Sequence, residues 1–163
     1  MEEIAQQAQM AKGNLYYYFP SKQELLFFCQ DYSLTRLNEQ ATTIVKSKQP
    51  ADAKLRALIA VHVHTVLEEL PGSTAHTDFR LLPREQLRKI VRKRDRYEKA
   101  YRKVVDEGIA EGVFEVSDPK TAVWAILGAL NWTVQWYSPS GTMTVQQISR
   151  DFGDLFAEGL GCS

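Results

Sequence analysis

The chain has 163 residues, 44% of them hydrophobic and 25% charged, and its 20 Lys/Arg are balanced by 20 Asp/Glu; this suits one soluble globular domain, or a small module fused to a larger one. Zero net charge excludes a protein that holds nucleic acid by bulk electrostatics, and no apolar run reaches the ~18–20 residues that span a bilayer. Glu2 and Glu3 directly after Met1 do not read as a secretory leader, and Cys29 and Cys162 near opposite ends do not read as a disulfide framework, so a cytoplasmic setting is expected.

The chain opens on Ile4, Ala5 and Ala8, small and apolar residues on one helical face. Gln9-Met10 breaks that run, and a second short helix follows with Leu15 turned inward. Two short helices about three residues apart form a helix-turn-helix, whose second helix enters the major groove of DNA. Tyr16, Tyr17 and Tyr18 cannot all be buried on a helix of two turns, so some of their rings and hydroxyls face out beside Lys12, where phosphates would lie.

Ile4-Ala5-x-x-Ala8 followed by Lys12-Gly13-x-Leu15-Tyr16-x-Tyr18-Phe19-x-Ser21-Lys22 resembles the DNA-binding signature of TetR/AcrR-type repressors. The resemblance covers roughly the first 30 residues; beyond them only the helical layout is similar. It implies an all-α protein: a helix-turn-helix module over residues 1–30, incomplete at its N-terminus, followed by a helical ligand-binding and dimerisation domain over 31–163. Family members carry one more helix, often preceded by a basic arm, ahead of the position that is Met1 here. Two readings follow. The chain is a ligand-responsive regulator, a repressor in the resembled family, that binds operator DNA as a homodimer; or it is a ligand-binding helical dimer without competent DNA binding.

Ser21-Lys22-Gln23-Glu24 reads as a capping box, with Ser21 as N-cap and Glu24 reaching back to it. The helix it opens runs to about Ser47, with Leu25, Leu26, Phe28, Cys29, Tyr32, Leu34, Leu37, Ala41, Ile44 and Val45 as its apolar positions, and Pro50 ends it. The resemblance makes this helix the lever between ligand and DNA. The next helix, from about Ala51 to Leu70, carries an amphipathic stripe that includes His62 and leaves out His64. Two residues apart on a helix, these histidines cannot share a metal. Pro71-Gly72-Ser73 is a turn, and a short helix is expected over 74–82.

Pro83 begins another long helix whose buried side is Leu87, Ile90, Val91, Tyr97, Tyr101, Val104, Val105 and Ile109, interrupted at Arg94. Between Arg84 and Lys103 it holds 10 Lys/Arg, either a solvated face or a surface that attracts an anionic ligand head. Asp118 or Ser117 caps the following helix, with Pro119 in its first turn. Residues 122–137 are apolar nearly all round, which demands burial on several faces. Thr144-Val145-Gln146-Gln147 is a second capping box, opening a last helix striped by Val145, Ile148, Phe152, Leu155, Phe156 and Leu160. The last two helices carry more apolar surface than one small domain covers, which predicts a homodimer through them.

In the DNA-binding module, Ala11 to Tyr18 would present the reading surface, with Gly13 allowing close approach and Asn14 pairing with a base edge. Lys12, Tyr16, Tyr17 and Lys22 would contact phosphates of a palindromic operator, while Tyr18 and Phe19 would pack under the long helix that follows. For the effector pocket, His62, Arg94, Tyr97, Tyr101, Asn131, Trp132 and Trp136 supply aromatic walls and polar points, and Trp132 and Trp136 beside Asn131 head the choice. A small hydrophobic effector is expected, with an acyl-CoA thioester the favoured class. No catalytic series, metal spacing or phosphate loop stands out, so no enzyme, cofactor or metal is expected.

Overall fold

The chain is described by a computed structural model covering residues 16–69 and 81–161. The first helix of the expected helix-turn-helix, Ala11, Lys12, Gly13 and Asn14 lie outside the described residues, as do the turn at 71–73, Phe79, Cys162 and most of the short helix expected over 74–82. Residues 16–18 are helical and residues 19–21 turn the chain into α1, Lys22–Lys46. There follow α2, Ala51–His64, drawn out by a π-helical turn over Thr65–Glu69; α3, Arg84–Ala110; α4, Pro119–Trp136; and α5, Val145–Gly159. Among the described residues there is no named strand, and an isolated bridge joins Phe114 to Gly161.

Local chemistry sets the helix starts. Ser21 Oγ accepts the Glu24 N–H at 3.1 Å, satisfying one of the orphan donors of α1. The expected return bond from Glu24 is replaced: its carboxylate accepts from Gln86 Nε2 at 2.8 Å, because the first turn of α3 lies alongside. Asp118 takes the Lys120 and Thr121 N–H groups at the start of α4, with Pro119 just inside the helix. Thr144 and Gln147 complete a reciprocal capping box at α5, with bonds of 3.1 and 2.8 Å. Helix α2 has no such side chain at Pro50; Glu111, arriving from the end of α3, accepts the Ala51 N–H at 3.2 Å.

The core runs through Leu37, Leu55, Leu58, Ile59, Ile90, Tyr101, Val104, Ile126, Leu130 and Ile148, all nearly inaccessible to water. Helix α2 is the central element. It packs most extensively on α5, then on α3, α1 and α4; α1 lies along α3, and α4 lies chiefly on α3. Lys54, buried on α2, donates to Glu107 of α3 at 2.8 Å, and Arg56 of α2 pairs with Asp154 of α5.

Three expectations about burial change. On α1, Phe28 and Tyr32 are 53% and 48% exposed, whereas Gln30, Ser33 and Asn38 are buried. The inner stripe tolerates Ser33 and Asn38 because each finds a local carbonyl, Cys29 O and Leu34 O, and Asn38 also donates to Lys93 O of α3 at 3.1 Å. On α3, Val91 and Ile109 fall at the rim of the stripe and stay partly exposed. On α4, Val123, Ile126, Leu130 and Thr133 are buried, while Trp124, Trp132 and Trp136 face outward. The helix is thus covered on one side within the chain, not on several.

Candidate ligand cavity and reading head

A cavity of about 340 Å³ opens where α1, α2, α3 and α4 meet. Helix α1 contributes Leu34 and Leu37, and α2 contributes His62, buried with its ring 5.8 Å from that of Tyr97. Helix α3 lines one wall with Arg94, Asp95, Tyr97 and Glu98. Helix α4 lines the opposite wall with Trp124, Leu127, Gly128 and Asn131, residues three and four apart and so on one face. Leu34, Leu37, His62 and Tyr97 form the buried floor; Asp95, Trp124 and Gly128 are exposed and form the rim.

Four of the residues expected at a pocket therefore come together: His62, Arg94, Tyr97 and Asn131. Tyr101 lies one turn deeper than Tyr97, with their hydroxyls 3.4 Å apart and the Tyr101 hydroxyl donating to Leu58 O at 2.9 Å. It supports the floor and does not line the cavity. Burial pushes both phenols above their ordinary range, so both keep their protons near neutral pH. Trp132 and Trp136 stand outside the cavity, 63% and 45% exposed, because their side of α4 points away from α3; Trp136 instead packs edge-on against Phe152 of α5.

The polar points of the cavity are mixed in sign. Arg94 is half-buried, and burial lowers its pKa against the opposing pull of Asp95; a guanidinium remains charged under these conditions. Glu98 is engaged by Arg102 one turn on. Asn131 donates back to Leu127 O at 2.7 Å, which holds its amide against α4. Trp124, one of the aromatic side chains weighed for the pocket with Phe79, also lines the cavity, whereas sequence reasoning missed Leu34, Leu37, Leu127, Gly128, Asp95 and Glu98. A signal for Glu98 and Asp95 was available, since they follow Arg94 by four and one positions on the same helix.

At the other end of α1, Tyr16, Tyr17 and Tyr18 are 41%, 82% and 66% exposed, and Lys22 is exposed in the first turn. Phe19 packs on Phe28 at 5.2 Å, while Tyr18, expected beneath α1, meets Tyr17 edge-on and stays in solvent. Helix α1 is fastened to α3 by Lys93, which pairs with Asp31 at 2.5 Å and donates to Thr35 Oγ1 at 2.6 Å. The boundary expected at residue 30 falls inside α1, which is unbroken from reading head to cavity.

Residues 1–28 match the family of bacterial regulatory proteins of the tetR type, and residues 48–160 match the tetracyclin repressor-like C-terminal domain. Most of α1 spans the interval between the two matches. HTH-type transcriptional repressor KstR2 of Mycobacterium tuberculosis is 24% identical over 163 residues, 98% of this chain and 82% of that protein. The crystal structure of the TetR family regulator PfmR from Thermus thermophilus is similar with a TM-score of 0.83 and 28% identity, over 99% of this chain and 88% of that one. The fold is also that of AibR, solved in complex with isovaleryl coenzyme A and operator DNA, with a TM-score of 0.73 and 23% identity over 94% of this chain and 84% of that one. Among the described residues no cluster of three His, Cys, Asp or Glu side chains could hold a metal, and no helix is long and apolar enough to cross a membrane.

Proposed function

Because the chain belongs to the TetR family of bacterial regulatory proteins, we propose that it represses transcription by binding a palindromic operator as a homodimer, and that a small hydrophobic effector in the four-helix cavity releases it. One observation carries this reading. Leu34 and Leu37, in the floor of the cavity, belong to the helix that begins at the Ser21 cap, directly after the tyrosine-rich turn. A ligand that prefers a different spacing between α1 and α4 shifts the reading head with it, since α1 is continuous; a ligand without such a preference changes nothing.

In the reading head, Asn14 is the base-edge contact, Ala11 and Gly13 permit close approach, and Lys12, Tyr16, Tyr17 and Lys22 take phosphates. Exposure of Tyr16, Tyr17 and Lys22 supports the phosphate role. In the cavity, His62, Arg94, Tyr97 and Asn131 face the effector, with Tyr101 behind them. Trp132 and Trp136, on the outer side of α4, serve the dimer.

The effector is an acyl-CoA thioester, with the acyl end in the cavity. The volume of about 340 Å³ lies at the lower end of the ~300–1,000 Å³ range of ligand sites, which suits a short acyl or ring system rather than a whole nucleotide. Exposed Arg92, Arg96 and Lys99 on α3 supply positive charge for the phosphates outside it. A protein of this fold crystallised with isovaleryl coenzyme A supports the choice of ligand class. The molecule acts by binding, with no reaction catalysed.

The test selects binding sites from random duplex DNA, then titrates the selected operator with isovaleryl-CoA, free CoA and isovalerate. The expected result is enrichment of an inverted repeat and a loss of affinity of about tenfold or more with the thioester alone, a coupling of ~1.4 kcal/mol. Failure to enrich any DNA overturns the regulator reading. Enrichment with indifference to thioesters overturns the effector class only.

A further inference from the structure

We infer that Arg84 and Arg88, at the start of α3, hold operator phosphates beside each half-site and supply positive charge that the reading head itself lacks. This rests on the DNA-binding reading proposed above and adds a second surface for the same partner. Residues 1–30 hold Lys12 and Lys22 against Glu2, Glu3 and Glu24, a net charge of −1. Sequence-independent affinity for duplex DNA comes from cations that neutralise its phosphates, and a net-negative module is short of them. Residues 84–103 carry the opposite excess, 10 Lys/Arg against Glu85, Asp95 and Glu98.

The packing of α1 on α3 brings the first part of that excess to the reading-head end. Gln86 meets Glu24 at 2.8 Å and Lys93 meets Asp31 at 2.5 Å, each pair 62 residues apart. Equal offsets mean that the two helices run side by side in the same direction, so α3 starts where α1 starts. Gln23, next to Lys22 in the first turn of α1, also donates to Leu81 O at 3.2 Å and ties down the approach to α3. Arg84 thus stands near the level of Lys22, ~15 Å along α3 from Arg94 in the cavity wall.

The fold itself gains nothing from these two arginines. Both are exposed, and among the described residues neither has an ion-pair partner; Glu85 is engaged by Lys89 at 3.3 Å and Glu24 by Gln86. Arg84 occupies the first position of α3, where the helix dipole favours an acidic residue and opposes a cation. Arg88 follows four residues on, along the same face, so the two charges repel. A polyanion lying across the pair reverses the sign of both effects. Each guanidinium stays charged and can donate two parallel hydrogen bonds to a phosphate. Exposed Tyr16, Tyr17 and Lys22 mark the same end of the molecule as the DNA side, which makes duplex DNA the occupant. Such contacts add affinity and fix the register of the head without reading sequence.

The test titrates the operator selected from random duplex DNA with the parent chain, Arg84→Gln/Arg88→Gln and the charge-preserving Arg84→Lys/Arg88→Lys, over about 0.05–0.2 M salt. Each phosphate contact contributes ~0.9 to the slope of log K against log salt, so losing two contacts in each copy should flatten the slope of the dimer by roughly 3–4. Affinity for a random-sequence duplex of equal length should fall by the same factor as for the operator, and the lysine pair should restore most of both. An unchanged slope in the glutamine variant, with operator affinity retained, overturns this inference and leaves the regulator reading intact. An unchanged slope with weakened isovaleryl-CoA binding assigns the pair to the effector's phosphates and overturns it equally. A parent chain that enriches no DNA overturns the regulator reading and this inference together.

Discussion

Gly108→Ala sets two effects of opposite sign against each other. Gly108 sits buried near the end of α3, and a Cβ there would overlap Cδ2 of Phe114 and fall 2.5 Å from its Cε2. The backbone that carries the ring is held in place, because Val113 and Phe114 both donate their N–H groups to Gly108 O, at 2.9 and 3.1 Å, and the ring itself is buried. Beyond it, Glu115 N–H donates to Leu160 O at 2.8 Å, so the displaced ring would also disturb the seam between the end of α3 and the end of α5. Helix propensity favours alanine by ~1 kcal/mol. Overpacking costs ~1–3 kcal/mol, and expelling a phenylalanine that is 3% exposed approaches the ~3–5 kcal/mol of its deletion. The clash wins, with a net loss of about 2 kcal/mol and a Tm lower by roughly 4–8 °C. Urea and thermal unfolding measure this, and a double-mutant cycle isolates the cause: in a Phe114→Ala background only propensity remains, so Gly108→Ala should stabilise by about 1 kcal/mol. A higher midpoint for Gly108→Ala with Phe114 present would refute the packing argument.

Glu107→Gln leaves the Lys54 ammonium, 8% exposed, without its carboxylate and should cost ~3–5 kcal/mol in urea unfolding, whereas Lys54→Met with Glu107→Leu should be near neutral; equal losses in both would contradict the burial assigned to Lys54. Trp132→Glu and Leu155→Glu change exposed side chains, so sedimentation should show a weakened dimer; the monomer's own stability, extrapolated from urea titrations, should move by no more than ~0.5 kcal/mol. The Asp118 carboxyl is held below its ordinary range, first by the Thr121 hydroxyl and then by the Lys120 N–H. A pKa lowered in the folded state gives stability that is present above the unfolded value and lost as pH falls through the folded one. Asp118→Asn keeps an N-cap that does not titrate and should flatten the acid limb of the Tm profile below about pH 4; an unchanged slope counts against the cap. Asn131→Leu and Arg94→Met should each weaken isovaleryl-CoA binding about tenfold, by calorimetry, as the loss of one polar contact implies, while Trp132→Ala in monomer should leave it unaltered.

Helix order, most boundaries and the caps at Ser21, Asp118 and Thr144 were legible, because they depend on residues within four positions of one another. What escaped depends on partners far along the chain. Glu24 turns to Gln86, 62 residues away; Glu111 caps α2 across 60; Asn38 is buried because Lys93 O is there to receive it. A hydrophobic stripe predicts which apolar residues could face inward, but on α1 Ser33 and Asn38, which find carbonyl partners, were taken in and Phe28 and Tyr32 were left out. The same holds for the cavity. His62, Arg94, Tyr97 and Asn131 were reachable from residue type, whereas Leu34, Leu37 and Leu127 look like any core leucine until four helices are seen to leave a gap between them.

Helix α4 is where the difference between pattern and structure carries function. An all-round apolar helix demands more cover than one face, and within this chain it receives cover on one. The unmet part is concentrated in Trp124, Gly128, Trp132 and Trp136, and it begins at the rim of the cavity. An effector entering there touches α1 through Leu34 and Leu37, and the strip it displaces or stabilises lies where a second copy would sit. On the proposed reading, α4 would stand between effector and dimer partner, as α1 would stand between effector and operator. A single ligand would then act on the position of each reading head and on the distance between the two.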